Sequence, residues 1–135
     1  MGRIILGVIA GFILWSILWI GSDQLLMAVW PEWYGEHQIM FQFAMNENKP
    51  FVPDSTILLM HIIRSIIISI IAGFFAALIA KENSRSTLAL GILLLAFGTT
   101  VQIMAWNYLP IWYHLIFLVL LVPMTILGGK LKSTT

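Results

Sequence analysis

The stretch ILLMHIIRSIIISIIAGFFAALIA, residues 57–80, decides the fold. It is a run of hydrocarbon broken by a few polar residues, among them His61 and Arg64. A bilayer core about 30 Å thick is crossed by roughly 20 apolar residues of helix, so the stretch predicts a membrane span. Asp54 and Ser55, just after Pro53, are good N-cap types and set its start, and Lys81-Glu82-Asn83 ends it. At helical spacing His61, Ser65, Ser69, Ala72, Ala76 and Ala80 share one side. Arg64 and Gly73 flank that side, and Ile68 and Phe75 fall within it. The opposite side is Ile, Leu and Phe. Lipid tails are as apolar as leucine, so helices meet in membranes through small residues that allow close approach. The small and polar side is expected to face other helices, and the Ile-rich side lipid.

Arg64 lies about 10 Å inside the nearer end of this helix at 1.5 Å per residue. A charge at that depth costs a few kcal/mol and marks a paired group or a function. Its side chain tilts toward the near end, so snorkelling to the headgroups is the simplest expectation.

The rest of the chain extends this reading. Of 135 residues, 60% are hydrophobic and only 10% charged, which excludes an ordinary soluble domain. Cysteine is absent, so there is no disulfide framework, thiol catalyst or Cys-type zinc site. A net charge of +1 gives no nucleic-acid signal. No Gly-rich phosphate loop, HExxH or GxSxG motif occurs, so the chain carries no catalytic signature and calls for no cofactor.

Residues 4–20 are free of charge, and the first span runs over about 4–29 with Asp23 and Gln24 near its far end. Its apolar run is too long for a signal peptide and no A-x-A site follows, so it reads as a retained helix. Gly7 and Gly11 form a GxxxG step suited to close packing. Two further spans follow, about 87–105 and 111–127. Ser84 or Ser86 is placed to cap the third span, and Gly91, Gly98, Gln102 and Ala105 share one of its sides. Pro110 opens the fourth, Pro123 interrupts it and Gly128-Gly129 ends it.

Residues 30–54 are the longest polar region. Pro31 suits the start of a short helix, whereas the alternation from His37 to Asn46 reads as a short strand or an extended segment on the bilayer surface. Trp30, Trp33, Tyr34, Trp106, Tyr108, Trp112 and Tyr113 are expected at the membrane interface. The basic residues set the orientation. Arg3, Lys81, Arg85, Lys130 and Lys132 fall on one side of a four-span topology, whereas loop 30–54 has Lys49 alone against four acids. The positive-inside rule then predicts cytoplasmic termini and an extracytoplasmic loop. The expected fold is all-α: one integral-membrane four-helix bundle over residues 1–135.

In that orientation Asp23, Gln24, His61, Arg64, Gln102, Asn107 and His114 gather in the outer half. Opposed side-chain tilts predict that Asp23 pairs with Arg64, with His61 or His114 as further partners. Four readings are open for this cluster. It satisfies itself internally; it binds an anionic headgroup or lipid-linked phosphate through Arg64 and the histidines; it holds a metal on His61, His114 and Asp23, although no HxH or HxxxH pair supports that; or it relays protons in transport. No acidic residue lies mid-span and the inner half is apolar, which argues against the last.

Leu109-Pro110-Ile111-Trp112-Tyr113-His114-Leu115, then Pro123 and Leu127-Gly128-Gly129-Lys130-Leu131, resembles the C-terminal part of short, uncharacterised bacterial inner-membrane proteins with four helices. The small residues of the first span and the Gly73 to Ala80 end of the second fit the same type. The resemblance implies a multi-pass protein of the bacterial inner membrane and brings no activity with it. The chain has the size of small multidrug transporters but lacks their acidic residue in mid first span. The sequence therefore points to a non-enzymatic accessory or lipid-interacting protein, with membrane lipids and a second copy or another membrane protein as partners. A small transporter or permease subunit acting as a homo-oligomer is the alternative.

Overall fold

The computed structural model describes residues 2–51, 53–82, 84–106 and 108–131. The described residues are helical throughout their ordered elements and contain no strand. In chain order they form α1 (Gly2–Val29), a π-helical turn (Pro31–Gly35), α2 (Glu36–Glu47), α3 (Ser55–Ala80), α4 (Arg85–Met104) and α5 (Ile111–Lys130). Of these, α1, α3, α4 and α5 are long and apolar enough to cross a membrane. Asn107 and Lys132, which entered the cluster and the charge count above, lie outside the described residues.

α3 is the hub, packed on α1 and on α5. Its small and polar side is buried as the spacing predicts: His61, Ser65, Ser69, Ala72, Ala76 and Ala80 all face the core. Leu59, Ile63, Ile67 and Ile71 are exposed on the other side. Phe75 departs from the wheel reading, being 37% exposed.

Glycines bring the backbones together at the end of the bundle where α3 turns into α4. A Cβ on Gly7 would sit 2.6 Å from the Ala76 carbonyl oxygen, and one on Gly11 2.7 Å from Leu90 Cδ2. A Cβ on Gly73 would overlap the Thr125 carbonyl, and one on Gly128 the carbonyl of Ile70. So α3 and α5 touch backbone to backbone. Gly128 and Gly129 do not end α5, as their helix-breaking character predicts; α5 runs on to Lys130, and both are buried packing positions. The helix also continues through Pro123.

Two caps decide helix starts. Asp54 caps α3, its carboxylate accepting from Thr56 N at 2.9 Å. For α4 the expected serine cap is replaced. Ser84 occupies the N-cap position without a side-chain cap bond, and the Glu82 carboxylate accepts from the backbone N–H groups of Ser84, Arg85 and Ser86 instead. One charged acceptor takes three donors that the first helical turn leaves without partners. Burial opposes ionisation of Glu82, but these N–H donors outweigh it and hold the carboxyl at about 2.

The region expected to be extended is α2. The run Ile39–Met45 is apolar at nearly every position and so fits either period. The Gln, Met, Glu and Ala residues of α2 are good helix formers, and only Ile39 is β-branched. Gln38, Phe41, Gln42 and Met45 recur at helical spacing on the face that lines the cavity, while Met40 and Phe43 lie outside that lining and are exposed. Asn48 closes α2 in the left-handed conformation at φ 54°.

Candidate functional site

The candidate site lies at the α2 end of the bundle. Trp30 O accepts from Gly35 N at 2.9 Å, the wide i to i+5 bond of a π-turn. Pro31 has no N–H to give to an ordinary α-turn. At Gly35 this turn lies against α1, where a Cβ would be 3.4 Å from Met27 O. The turn carries Tyr34 into the bundle, where it is fully buried. Tyr34 is therefore not an interfacial aromatic, and it completes the polar cluster.

Arg64 is the centre of that cluster. Its Nε donates to Ser22 Oγ at 3.0 Å and one terminal nitrogen donates to Trp19 O at 2.9 Å. The other terminal nitrogen donates to Tyr34 Oη at 2.7 Å and lies 2.9 Å from His61 Nδ1. The guanidinium stacks over the Trp19 ring at 4.2 Å from its centroid. Asp23 is 3.8 Å away, and Tyr34 stands between them, donating to Asp23 Oδ1 at 2.5 Å. The two side chains are 11% and 22% exposed. The ion pair is thus relayed through a phenol. Burial, together with the bond to Asp23, pushes the Tyr34 hydroxyl above the usual phenol range, so it stays a donor. These acceptors, with Asp23 as counter-charge, hold Arg64 within the bundle.

The network reaches α2. Gln38 Nε2 donates to Asp23 Oδ1 at 3.2 Å, and Gln38 Oε1 lies 3.0 Å from His37 Nδ1. His37 Nε2 accepts from Asp54 N at 3.1 Å. An imidazole that accepts at Nε2 carries its proton at Nδ1, which fixes the direction of the chain. Trp33 Nε1 donates to Asp54 Oδ2 at 2.8 Å, and this bond leads the causes that hold the Asp54 carboxyl below its usual range.

The remaining sequence candidates are elsewhere. Gln102 and His114 form a separate buried pair, with His114 Nδ1 bonded to Gln102 Oε1 and its ring stacked on Trp106 at 4.5 Å between centroids. Trp30, Trp106 and Trp112 are exposed at the bundle surface, whereas Tyr113 is buried against Phe117. Tyr108 donates to Asn48 at 2.9 Å. Among the described residues no three His, Asp or Glu side chains are grouped to hold a metal ion.

Between the network and the Gln102–His114 pair lies a cavity of about 580 Å³. Trp15, Trp19, Leu58, Phe97, Tyr113 and Phe117 form its apolar walls. Phe41, Gln42 and Met45 of α2 form its roof, and Asp23, Gln24, His61 and Gln102 its polar corners. Arg64 is not among the lining residues. The site is therefore an apolar cavity with a few hydrogen-bonding groups, the usual make-up of a small-molecule pocket. No family model, no curated protein and no solved structure matches the chain.

Proposed function

We propose that the protein is a non-enzymatic, lipid-interacting protein of the bacterial inner membrane that holds a lipid-soluble molecule in the cavity beneath α2. The single observation behind this reading is the cavity itself, walled by aromatic and aliphatic side chains and roofed by α2. Its volume falls within the roughly 300–1,000 Å³ of pockets that bury small ligands. The likeness of the last span to four-helix inner-membrane proteins supports the location. The basic residues support cytoplasmic termini and an extracytoplasmic α2, which puts the cavity in the outer half of the bilayer. The transport alternative is weaker, because Gly73 against Thr125 and Gly128 against Ile70 close the other half of the α3–α5 contact.

Native mass spectrometry of protein extracted gently from its own membrane tests the reading beside Val101→Trp, which fills the cavity from an exposed wall position. A discrete molecule retained by the parent and lost from the variant is the expected result. Identical bulk lipid on both would overturn cavity binding. The chain lacks cysteine, so single cysteines report topology directly. Lys49→Cys should react with an impermeant thiol reagent in intact cells, and Arg85→Cys only after lysis.

A further inference from the structure

We infer that the cavity selects an uncharged ring-headed lipid of the quinone class, held by a hydrogen bond from His61 Nε2 to a ring carbonyl. This rests on the cavity-binding reading above and adds the chemistry of the occupant.

The direction of one hydrogen bond carries the inference. Arginine has donors and no acceptor, so the 2.9 Å contact between Arg64 and His61 makes Nδ1 the acceptor. The neutral ring then carries its proton on Nε2. His61 is 7% exposed and lines the cavity, yet no described residue accepts from that Nε2. Among the described residues the one sealed side-chain polar atom without a partner is Ser65 Oγ, so Nε2 is not sealed and opens on the cavity. A donor that faces an apolar cavity gains from a ligand carbonyl that accepts its hydrogen bond.

Charge narrows the class. Arg64 is taken up by Tyr34, His61, Ser22 and Trp19, with Asp23 as its counter-charge. The cavity therefore offers an anionic head no free cation and faces it with a carboxylate. Asp23 Oδ2 has no hydrogen-bond partner among the described residues, and the exposed Gln24 also lines the cavity. A head that accepts from His61 and Gln24, and gives a hydroxyl to Asp23 in its quinol form, meets all three groups. Trp15, Trp19, Phe97 and Phe117 give the cavity aromatic walls against which a ring can pack. The volume suits a ring and the first part of one tail.

Purified protein in nanodiscs is titrated with decylubiquinone, dioleoylglycerol and phosphatidylglycerol, with ligand-induced thermal stabilisation as the readout. Decylubiquinone alone should stabilise the parent. Loss of one neutral hydrogen bond in His61→Phe should weaken its binding about tenfold. His61→Gln, whose amide nitrogen replaces Nε2, should recover part of it. Stabilisation by phosphatidylglycerol or dioleoylglycerol in place of the quinone would overturn the class while leaving cavity binding intact. Quinone binding unchanged in His61→Phe would overturn the donor. If no probe stabilises the parent and Val101→Trp retains the same native lipids, the cavity reading falls with it. If both His61 variants fail to fold, the three-way comparison on the parent still decides the class.

Discussion

The two ends of the bundle use the same helices and differ in what separates them. Where α3 turns into α4, the contact residues are Gly7, Gly11, Gly73 and Gly128, and backbones touch. At the α2 end the corresponding positions are Trp15, Trp19, His61, Tyr113 and Phe117, and the helices stand apart around a cavity. Small side chains give close contact and no room, whereas large aromatic ones prop the helices open and leave space between rings. The closed end gains its stability from shape, and the open end from a polar network strung across the gap. The two ends should therefore fail differently when mutated.

The largest effect is expected at the closed end. Gly73→Val puts methyl groups where the Thr125 carbonyl lies, and backbone on both sides leaves little to yield. Overpacking of this kind costs about 3 kcal/mol or more, so the variant should lose the folded, monodisperse state in mild detergent. If it folds normally, the α3–α5 contact is not rigid and the contrast between the ends collapses.

Arg64→Leu comes next. It leaves Asp23 and Tyr34 facing each other without their cation. Removing one partner of a buried pair costs about 3–5 kcal/mol, and the partial exposure of Asp23 brings this nearer 3. The double variant Asp23→Leu/Arg64→Leu should lose less than the sum of the single losses in thermal unfolding. Strict additivity would mean that the two charges do not sense each other through Tyr34.

The smallest effect is expected at Glu82, outside both packing regimes. Glu82→Gln weakens the cap of α4 by about 1 kcal/mol. The wild-type carboxyl is depressed from 4.5 to about 2, so its contribution is complete above about pH 4.5 and is lost as pH falls through about 2. The melting difference between wild type and variant should vanish across that window, and a constant difference would assign the cap to shape alone.

How much of this was readable without coordinates follows from what each residue depends on. The four apolar spans and the buried side of α3 follow from hydropathy and period, which are local. Gly7, Gly11, Gly91 and Gly98 announce packing because a missing side chain is visible in any sequence. The Asp23–Arg64 relation was legible because opposed spans bring their tilted side chains to one level. Tyr34 was not, since its role depends on a π-turn after Pro31 that swings an apparent belt aromatic inward. α2 is not legible because an apolar run at nearly every position carries no period. Depth alone groups Gln102 and His114 with Arg64, and depth does not say which side of a bundle a residue faces. The cap from Glu82 depends on where its carboxylate sits against the N–H groups of Ser84, Arg85 and Ser86.

The order of the Arg64 partners along the chain has a consequence for biogenesis. Trp19, Ser22, Asp23, Tyr34 and His61 all precede Arg64. Synthesis runs from the N-terminus, and early segments take up structure before later ones are made. When the arginine leaves the ribosome, every group that will receive its hydrogen bonds has already been translated. The charge that would make α3 the hardest span to insert is therefore also the one whose partners are waiting for it.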